Sequence, residues 1–207
     1  MSKIFISNNK DIGVECKSWA ISNTPNGYHI VDDPNDCDIF LSVQYDKILS
    51  KKFLDSRRAY NFHPNLLPKY GGVGTLTQCI LNGENFSGIT LHRIDSGVDT
   101  GSIIEVENIP IVNDETAYSL HLKTSKVLYN MFKRRYVDLL TQNYTTTNQK
   151  NDGRKTYTYK ELDGLFDITT LLRSTYYPGK PGVFYYDKNN NKVEVSWEAK
   201  INEDEKN

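Results

Sequence analysis

The sequence predicts an α/β fold with a mixed, mostly parallel sheet and a small C-terminal β-hairpin. Over the first 140 residues, short apolar runs alternate with segments of helical period. The apolar run 38–43 ends at the polar loop 44–47, and loops at the carboxyl ends of strands are where open α/β sheets bind ligands. Beyond residue 182, two runs rich in β-branched and aromatic residues flank a polar turn, which predicts the hairpin.

The same patterns give the individual elements. Strands are predicted at 3–7, 28–31, 38–43, 58–63, 87–94 and 102–111. Helices are predicted at 14–21, 51–56 and 76–81, and a long amphipathic helix at 116–140. We therefore expect a catalytic core at 1–140, a linker rich in Thr, Asn and Gln at 141–152, and a small C-terminal segment at 153–207 that carries the hairpin.

Charge and composition limit the classes of partner. The chain of 207 residues has 25 basic and 26 acidic side chains, so no overall positive field exists to hold a nucleic acid. No run approaches the roughly 18 apolar residues of a membrane helix. The first residues indicate a strand and not a signal peptide. These features predict a cytoplasmic protein that binds neither nucleic acid nor membrane.

The three cysteines are odd in number and widely spaced, at Cys16, Cys37 and Cys79. They form no C-x-x-C pattern, so neither a disulfide framework nor a zinc site is indicated. We expect reduced, partly buried thiols and no metal.

The stretch Asn61-Phe62-His63-Pro64, followed by Asn-Leu-Leu-Pro-Lys-Tyr, is the first informative motif. On a strand, Asn61 and His63 point to the same face because the side-chain period is two. The prolines of the motif stiffen the exit from the strand. The result is an amide donor and an imidazole held side by side on rigid backbone.

The second motif follows some thirty residues later and contains Asp99 in a loop with two glycines. An Asn, a His and an Asp are the groups that acyl transfer to an amine needs. Attack by a neutral amine creates an oxyanion and a cationic nitrogen. Asn61 can donate to the oxyanion, His63 can donate or accept the proton, and Asp99 would orient and tune His63.

The paired motifs N-x-H-P-x-L-L-P-K-Y and G-x-T-x-H-x-x-D-x-x-x-D-x-G-x-I resemble the folate-dependent formyltransferases, most strongly over 60–111. This resemblance implies a Rossmann-like formyltransferase core in which Asn61, His63 and Asp99 are catalytic. It also implies 10-formyltetrahydrofolate as co-substrate, with its pterin held largely by the backbone of two loops. The residues that the resemblance assigns to those loops are Lys47, Ile48, Leu49, Ile94, Asp95 and Gly97.

Within the family, the chain is most similar to the nucleotide-sugar N-formyltransferases, whose post-core segment resembles 152–162 and 171–174. Residues 7–11 lack the Gly-rich phosphate loop of the purine-pathway enzyme, and no basic segment like that of the tRNA enzyme follows the core. The implied acceptor is a dTDP- or UDP-linked amino-dideoxyhexose, such as 4-amino-4,6-dideoxyglucose. Gly71, Gly72 and Val73 stand where the aminoarabinose enzyme has arginines, which argues against that sugar.

Further expectations concern the acceptor and the assembly. Lys69 is assigned to a pyrophosphate and Tyr45 to the substrate, whereas His92 is expected to be structural. A homodimer is expected. Only 60 residues precede Asn61, so part of the N-terminal βαβ region seen in typical members is expected to be shortened. The alternatives are a methionyl-tRNA or purine-pathway formyltransferase, a hydrolase of the deformylase type, and a non-catalytic protein that binds folate or a nucleotide sugar.

Overall fold

The computed structural model describes residues 1–150, 152–158, 168–180, 182–186 and 191–195. The strands, in chain order, are β1 Ser2–Ile6, β2 Tyr28–Val31, β3 Ile39–Val43, β4 Arg58–His63, β5 Gly71–Gly72, β6 Phe86–Arg93, β7 Ile103–Pro110, β8 Thr156–Tyr157, β9 Val183–Tyr186 and β10 Lys192–Val195. The helices are α1 Asp11–Asn23, α2 Lys51–Leu54, α3 Thr75–Leu81, α4 Ala117–Thr141 and α5 Ile168–Thr175, with a 3₁₀ turn at Pro34–Asp36.

Six strands form the main sheet in the order β2-β1-β3-β4-β6-β7. The first four are parallel, whereas β6 runs antiparallel to β4 and pairs with β7 as a hairpin. The predicted mixed, mostly parallel sheet is therefore confirmed. All six predicted strands and all four predicted helices are present, with their ends shifted by three residues at most.

The two faces of the sheet are covered unequally. Ile39, Leu41 and Tyr60 belong to the large core cluster, which α1 and α4 complete on one face. The alternate residues Phe40 and Ala59 belong to a smaller cluster on the other face. At the carboxyl ends of β3 and β4, this second face carries polar side chains in place of the apolar cluster. The surface of the protein is open at this edge of the sheet.

Helix α4 is the longest element and supplies most of the helical half of the core. Its first turn is closed by a capping box, in which Thr116 accepts from the Ser119 backbone N–H and the Ser119 hydroxyl accepts from the Thr116 N–H. Gln142, in the left-handed conformation with φ 60°, ends the helix. Within the described residues, no helix is both long and apolar enough to cross a membrane.

The segment predicted as a linker contacts the core. Thr147 pairs with Ile103 through two backbone hydrogen bonds of 2.8 Å. In the predicted C-terminal segment that follows, β8 pairs in parallel with β5. The strands β5 and β8 are not predicted from the sequence, because two-residue strands carry no period, and α5 is not predicted because it spans only eight residues. The hairpin β9–β10 is present as predicted, while Trp197 lies outside the described residues. The division into core, linker and C-terminal segment stays a prediction.

The three cysteines are free and buried, as the sequence predicts. Burial raises the pKa of Cys16 and of Cys79 to about 12. Thiols with such a pKa carry almost no thiolate at neutral pH and are poor nucleophiles.

Gly13 allows α1 to approach the end of β1 closely. A Cβ atom at this position would lie 2.3 Å from the Ser7 carbonyl oxygen, so Gly13→Ala must displace the helix. We expect this variant to lower the free energy of unfolding by about 1–3 kcal/mol, measured by chemical denaturation. Ser18→Ala, at an exposed position of the same helix, is the control and should be neutral. Equal losses in the two variants would contradict this packing.

Candidate active site

Asn61 lies in a row of polar side chains that crosses three strands. It pairs in register with Ser42 on β3 and with His92 on β6. Tyr60 and Phe62, its neighbours in the chain, point into the core under α4. The strand period therefore places Asn61 and His63 on the more open face of the sheet, as predicted.

The Asn61 carboxamide is fixed in one orientation. The Ser42 hydroxyl donates to Asn61 Oδ1 at 2.7 Å. On the other side of the amide, Nδ2 lies 3.2 Å from Asp99 Oδ1 and 3.2 Å from His92 Nε2. Turning the amide around would direct its oxygen at the Asp99 carboxylate, so these contacts select the orientation with Nδ2 toward Asp99.

Asp99 joins the two sequence motifs. Its Oδ2 accepts from the Gly72 backbone N–H at 2.8 Å and lies 3.4 Å from His63 Nδ1. Its Oδ1 contacts Asn61 and lies 3.5 Å from His92 Nε2. The residue adopts φ 52°, in the left-handed region that side chains other than glycine seldom occupy. The structure thus brings Asn61, His63 and Asp99 together.

His63 is buried between an acceptor and a carboxylate. Its Nε2 lies 2.6 Å from the Tyr70 carbonyl oxygen, which can only accept, so the Nε2 atom carries a proton. In the neutral ring, Nδ1 is then unprotonated and faces Asp99. Burial lowers the pKa of His63 below its ordinary value, and the Asp99 carboxylate opposes this effect without outweighing it. His63 is therefore a neutral base at pH 7.

Asp99 remains ionised although it is largely buried. Burial alone would raise its pKa, but a hydrogen bond from His92 and the charge of His63, each present when that ring is protonated at low pH, together with the Gly72 N–H hold the pKa of Asp99 well below its usual range. A fixed negative charge therefore faces His63 over the whole neutral pH range.

His92 and Ser42 are also part of this arrangement. From the sequence, His92 is expected to be structural, and Ser42 is not a candidate. His92 Nδ1 lies 2.7 Å from the Arg93 carbonyl oxygen, which places the proton on Nδ1 and leaves Nε2 to accept from Asn61. The sequence signal for His92 is its alternation with apolar neighbours in β6, whereas Ser42 is the single polar residue of the apolar run in β3. Only the register of the strands shows that they contact Asn61.

A cleft of about 720 Å³ opens over these residues. All six residues assigned to the folate loops line it, as does Tyr45. Tyr45 also packs edge-on against Phe40, with ring centroids 5.2 Å apart. Four further lining residues were not identified from the sequence, because they come from distant parts of the chain: Lys10, His121, Tyr177 and Lys180.

Lys69 is not brought to this cleft. Its Nζ forms an ion pair with Glu84 Oε1 at 2.6 Å and lies over the Tyr70 ring, and 57% of the side chain is exposed. Since Tyr70 directs its carbonyl oxygen at His63, the preceding side chain is turned away from the site. The expected pyrophosphate contact of Lys69 has no support in this geometry.

Across the ranges that the structure describes, no group of three or more His, Cys, Asp and Glu side chains is arranged to hold a metal ion.

The chain is similar to known proteins in both sequence and fold. The family model described as formyl transferase matches residues 29–135. A methionyl-tRNA formyltransferase of Agathobacter rectalis is 33% identical over 177 residues, which cover 79% of this chain and 55% of that protein. The chain spans about half the length of the curated relatives it matches.

Two solved structures share the fold. A 4-N formyltransferase from Francisella tularensis matches with a TM-score of 0.81 at 20% identity, covering 94% of this chain and 96% of that one. WlaRD, described as a sugar 3N-formyl transferase in the presence of dTDP and 5-N-formyl-THF, matches with a TM-score of 0.72 at 25% identity. That match covers 84% of this chain and 79% of the other.

The Asp99 carboxylate raises the pKa of His63, so removing its charge should lower that pKa further. We expect Asp99→Asn to shift the NMR titration of His63 to lower pH than in the unsubstituted protein. Asp46→Asn, which removes an exposed carboxylate at the cleft rim, is the control and should leave the titration nearly unchanged. An unaltered His63 titration in Asp99→Asn would contradict the pairing.

Proposed function

Because the chain belongs to the formyl transferase family, we propose that it transfers a formyl group from 10-formyltetrahydrofolate to the amine of a nucleotide-linked amino-dideoxy sugar. dTDP- or UDP-4-amino-4,6-dideoxyglucose represents this class of acceptor. The observation that carries the proposal is the meeting of Asn61, His63 and Asp99 in one cleft. An oriented amide donor, a neutral imidazole and a fixed carboxylate serve acyl transfer to an amine.

The reaction requires an oxyanion and a proton to be handled in sequence. The amine nitrogen attacks the formyl carbon, and the carbonyl electron pair moves onto the formyl oxygen. The attacking nitrogen then loses a proton. The carbonyl re-forms as the bond from carbon to N10 of the carrier breaks, and N10 gains a proton. The products are the formamide and tetrahydrofolate.

Asn61 is the proposed donor to the formyl oxygen. Both Nδ2 hydrogens point toward partners at 3.2 Å, at the long end of the ordinary hydrogen-bond range. A developing oxyanion is a better acceptor than the neutral imidazole of His92. It can therefore accept one of these hydrogen bonds from Asn61 Nδ2 in place of that ring. Ser42 keeps Nδ2 facing Asp99 and His92, so little reorganisation is needed.

His63 is the proposed proton acceptor. Its Nε2 is committed to the Tyr70 carbonyl, which leaves Nδ1 as the basic atom. A proton received on Nδ1 produces an imidazolium whose charge faces Asp99 Oδ2 at 3.4 Å. The carboxylate thus stabilises the charged ring that burial disfavours, and the proton can be returned to the leaving N10.

The folate end of the cleft is formed by the loops 45–49 and 94–98, which contribute apolar side chains. Ile48 is 88% exposed and Val98 is 45% exposed, and both line the cleft. Large apolar side chains left in water at a cleft rim suit a flat ligand that covers them. This arrangement fits a pterin ring between the two loops.

The acceptor end of the cleft carries positive charge. Lys10 and Lys180 line this region with His121 and Tyr177, whose rings lie 5.9 Å apart. Burial lowers the pKa of His121, so this imidazole is neutral at pH 7 and pairs with the tyrosine as an aromatic surface. Two ammonium groups beside two rings suit the diphosphate and base of a nucleotide.

A sugar nucleotide is favoured over tRNA on grounds of charge. The chain has a formal charge of −1, whereas binding of a polyanion is driven by many Lys and Arg contacts with phosphates. A diphosphate needs only a few positive groups, and the cleft provides them. The similarity to a sugar 3N-formyl transferase also supports this choice, while the methionyl-tRNA formyltransferase relatives keep tRNA as the alternative acceptor.

The proposal is tested by incubating the protein with 10-formyltetrahydrofolate and a panel of 3- and 4-amino sugar nucleotides, and following product mass. We expect a mass gain of 28 Da, from replacement of H by CHO, with at least one of them. His63→Ala and Asn61→Ala should each lower kcat by roughly 10²-fold or more, because each removes a preorganised group. Formylation of initiator tRNA alone would overturn the sugar acceptor, and full activity in either variant would overturn the mechanism.

Two lysines allow a matched test of the acceptor end. We expect Lys180→Ala to raise KM for the sugar nucleotide about tenfold with little change in kcat, because a phosphate contact remote from the formyl carbon contributes equally to ground state and transition state. Lys69→Ala, which removes a lysine paired with Glu84 outside the cleft, should leave KM unchanged. The opposite pattern would restore the assignment of Lys69.

A further inference from the structure

A side chain from beyond α4 holds the loop that carries Asp99. Gln149 Nε2 donates to the Asp99 carbonyl oxygen at 2.9 Å and to the Gly101 carbonyl oxygen at 2.6 Å. These two bonds use both hydrogens of the amide. Gln149 Oε1 accepts from Arg154 Nη2 at 2.9 Å, which fixes the plane of the carboxamide.

The loop needs such support. Residues 95–98 are exposed, and Asp99 has a left-handed backbone that costs roughly 1 kcal/mol or more for a residue with a Cβ atom. Gly101 lies so close to β6 that a Cβ atom there would be 1.7 Å from the Arg93 carbonyl oxygen. Gln149 binds the carbonyls on both sides of this tight passage, and therefore opposes relaxation of the loop.

The same segment of chain also holds the partner of the Asp99 carboxylate. The backbone N–H groups of Gly71 and Val73 donate to the Lys155 and Tyr157 carbonyl oxygens at 2.9 and 3.0 Å. Gly72, between them, donates its N–H to Asp99 Oδ2. Gln149 thus fixes the backbone of Asp99, and residues 155–157 fix its carboxylate through Gly72.

We propose that Gln149 is a positioning residue that sets the distance between the Asp99 carboxylate and His63. Gln149 lines a neighbouring cavity of about 360 Å³ together with Thr100 and Ser102, and is absent from the cleft lining. It therefore acts through Asp99 and not on a substrate. The effect of Gln149 on catalysis rests on the proposed function. Its effect on the distance between Asp99 and His63 does not.

The first test is the NMR titration of His63 in Gln149→Ala, which needs no substrate. The charged or titratable groups facing this ring are Asp99 and His92, so a retreat of Asp99 shifts the titration to lower pH. We expect a downward shift in the same direction as in Asp99→Asn. Asn148→Ala, an exposed neighbour in the same segment, is the control. An unchanged His63 titration in folded Gln149→Ala would overturn the proposal.

Kinetics provide the second test. We expect Gln149→Ala to lower kcat about tenfold while KM for the amino sugar nucleotide changes by less than about twofold, because small displacements of a catalytic group have large effects on rate. Adding the substitution to Asp99→Asn should cost no further rate, since both act through one carboxylate. Independent, multiplicative losses would overturn the proposal.

Gln149→Glu covers the case in which the alanine variant does not fold. It keeps the size of the side chain and the acceptor for Arg154, but removes both donors to the loop. It should reproduce the His63 shift. A normal titration in Gln149→Glu would contradict the role of these two hydrogen bonds. If no acceptor is ever formylated, the proposed function fails while both titrations still decide the role of Gln149.

Discussion

The buried carboxylate of Asp99 is the constraint on which the site depends. An ionised carboxylate away from water is tolerated only when hydrogen bonds or opposite charges compensate it. Asp99 satisfies this condition with side chains from β4 and β6 and with one backbone N–H from β5. Because these partners come from three different strands, the distance between Asp99 and His63 depends on the position of all three.

The sheet explains why these partners meet. In β4, alternate residues enter the core under α4 and leave Asn61 and His63 on the open face, while the neighbouring strands contribute Ser42 and His92 to the same row. Strands hold such groups more rigidly than loops do, which suits a donor that must be aligned before the charge develops. The loop component, Asp99, is the part that needs external support.

The extent to which the sequence predicts this site follows from the distance over which each interaction acts. The placement of Asn61 and His63 on one face of the sheet depends on the strand period alone. The local sequence is therefore enough to predict it. Asp99 is a candidate from its glycine-containing loop and from the resemblance to a family, but no local pattern predicts that a left-handed aspartate reaches β4. The role of His92 was missed since it requires the register of two strands.

Two sets of contacts that composition and motif position do not predict depend on long-range packing. Lys69 follows the catalytic strand and was expected at the acceptor, but the turn that aims the Tyr70 carbonyl at His63 sends Lys69 to Glu84. Residues 141–152 have the composition of a linker, yet they contain Gln149, whose partners lie some fifty residues earlier. Composition indicates exposure to water but cannot show which backbone groups a polar side chain will bind.

In the proposed reaction, the cleft directs the formyl carbon to an amine and not to water. The most direct measurement follows the carbon-13 label of 10-[¹³C]formyltetrahydrofolate by NMR, with an accepted amino sugar nucleotide present. We expect one labelled formamide for each tetrahydrofolate released, and a large loss of the formamide signal in His63→Ala. Label that accumulates as free formate at the same rate with or without the amine would contradict it.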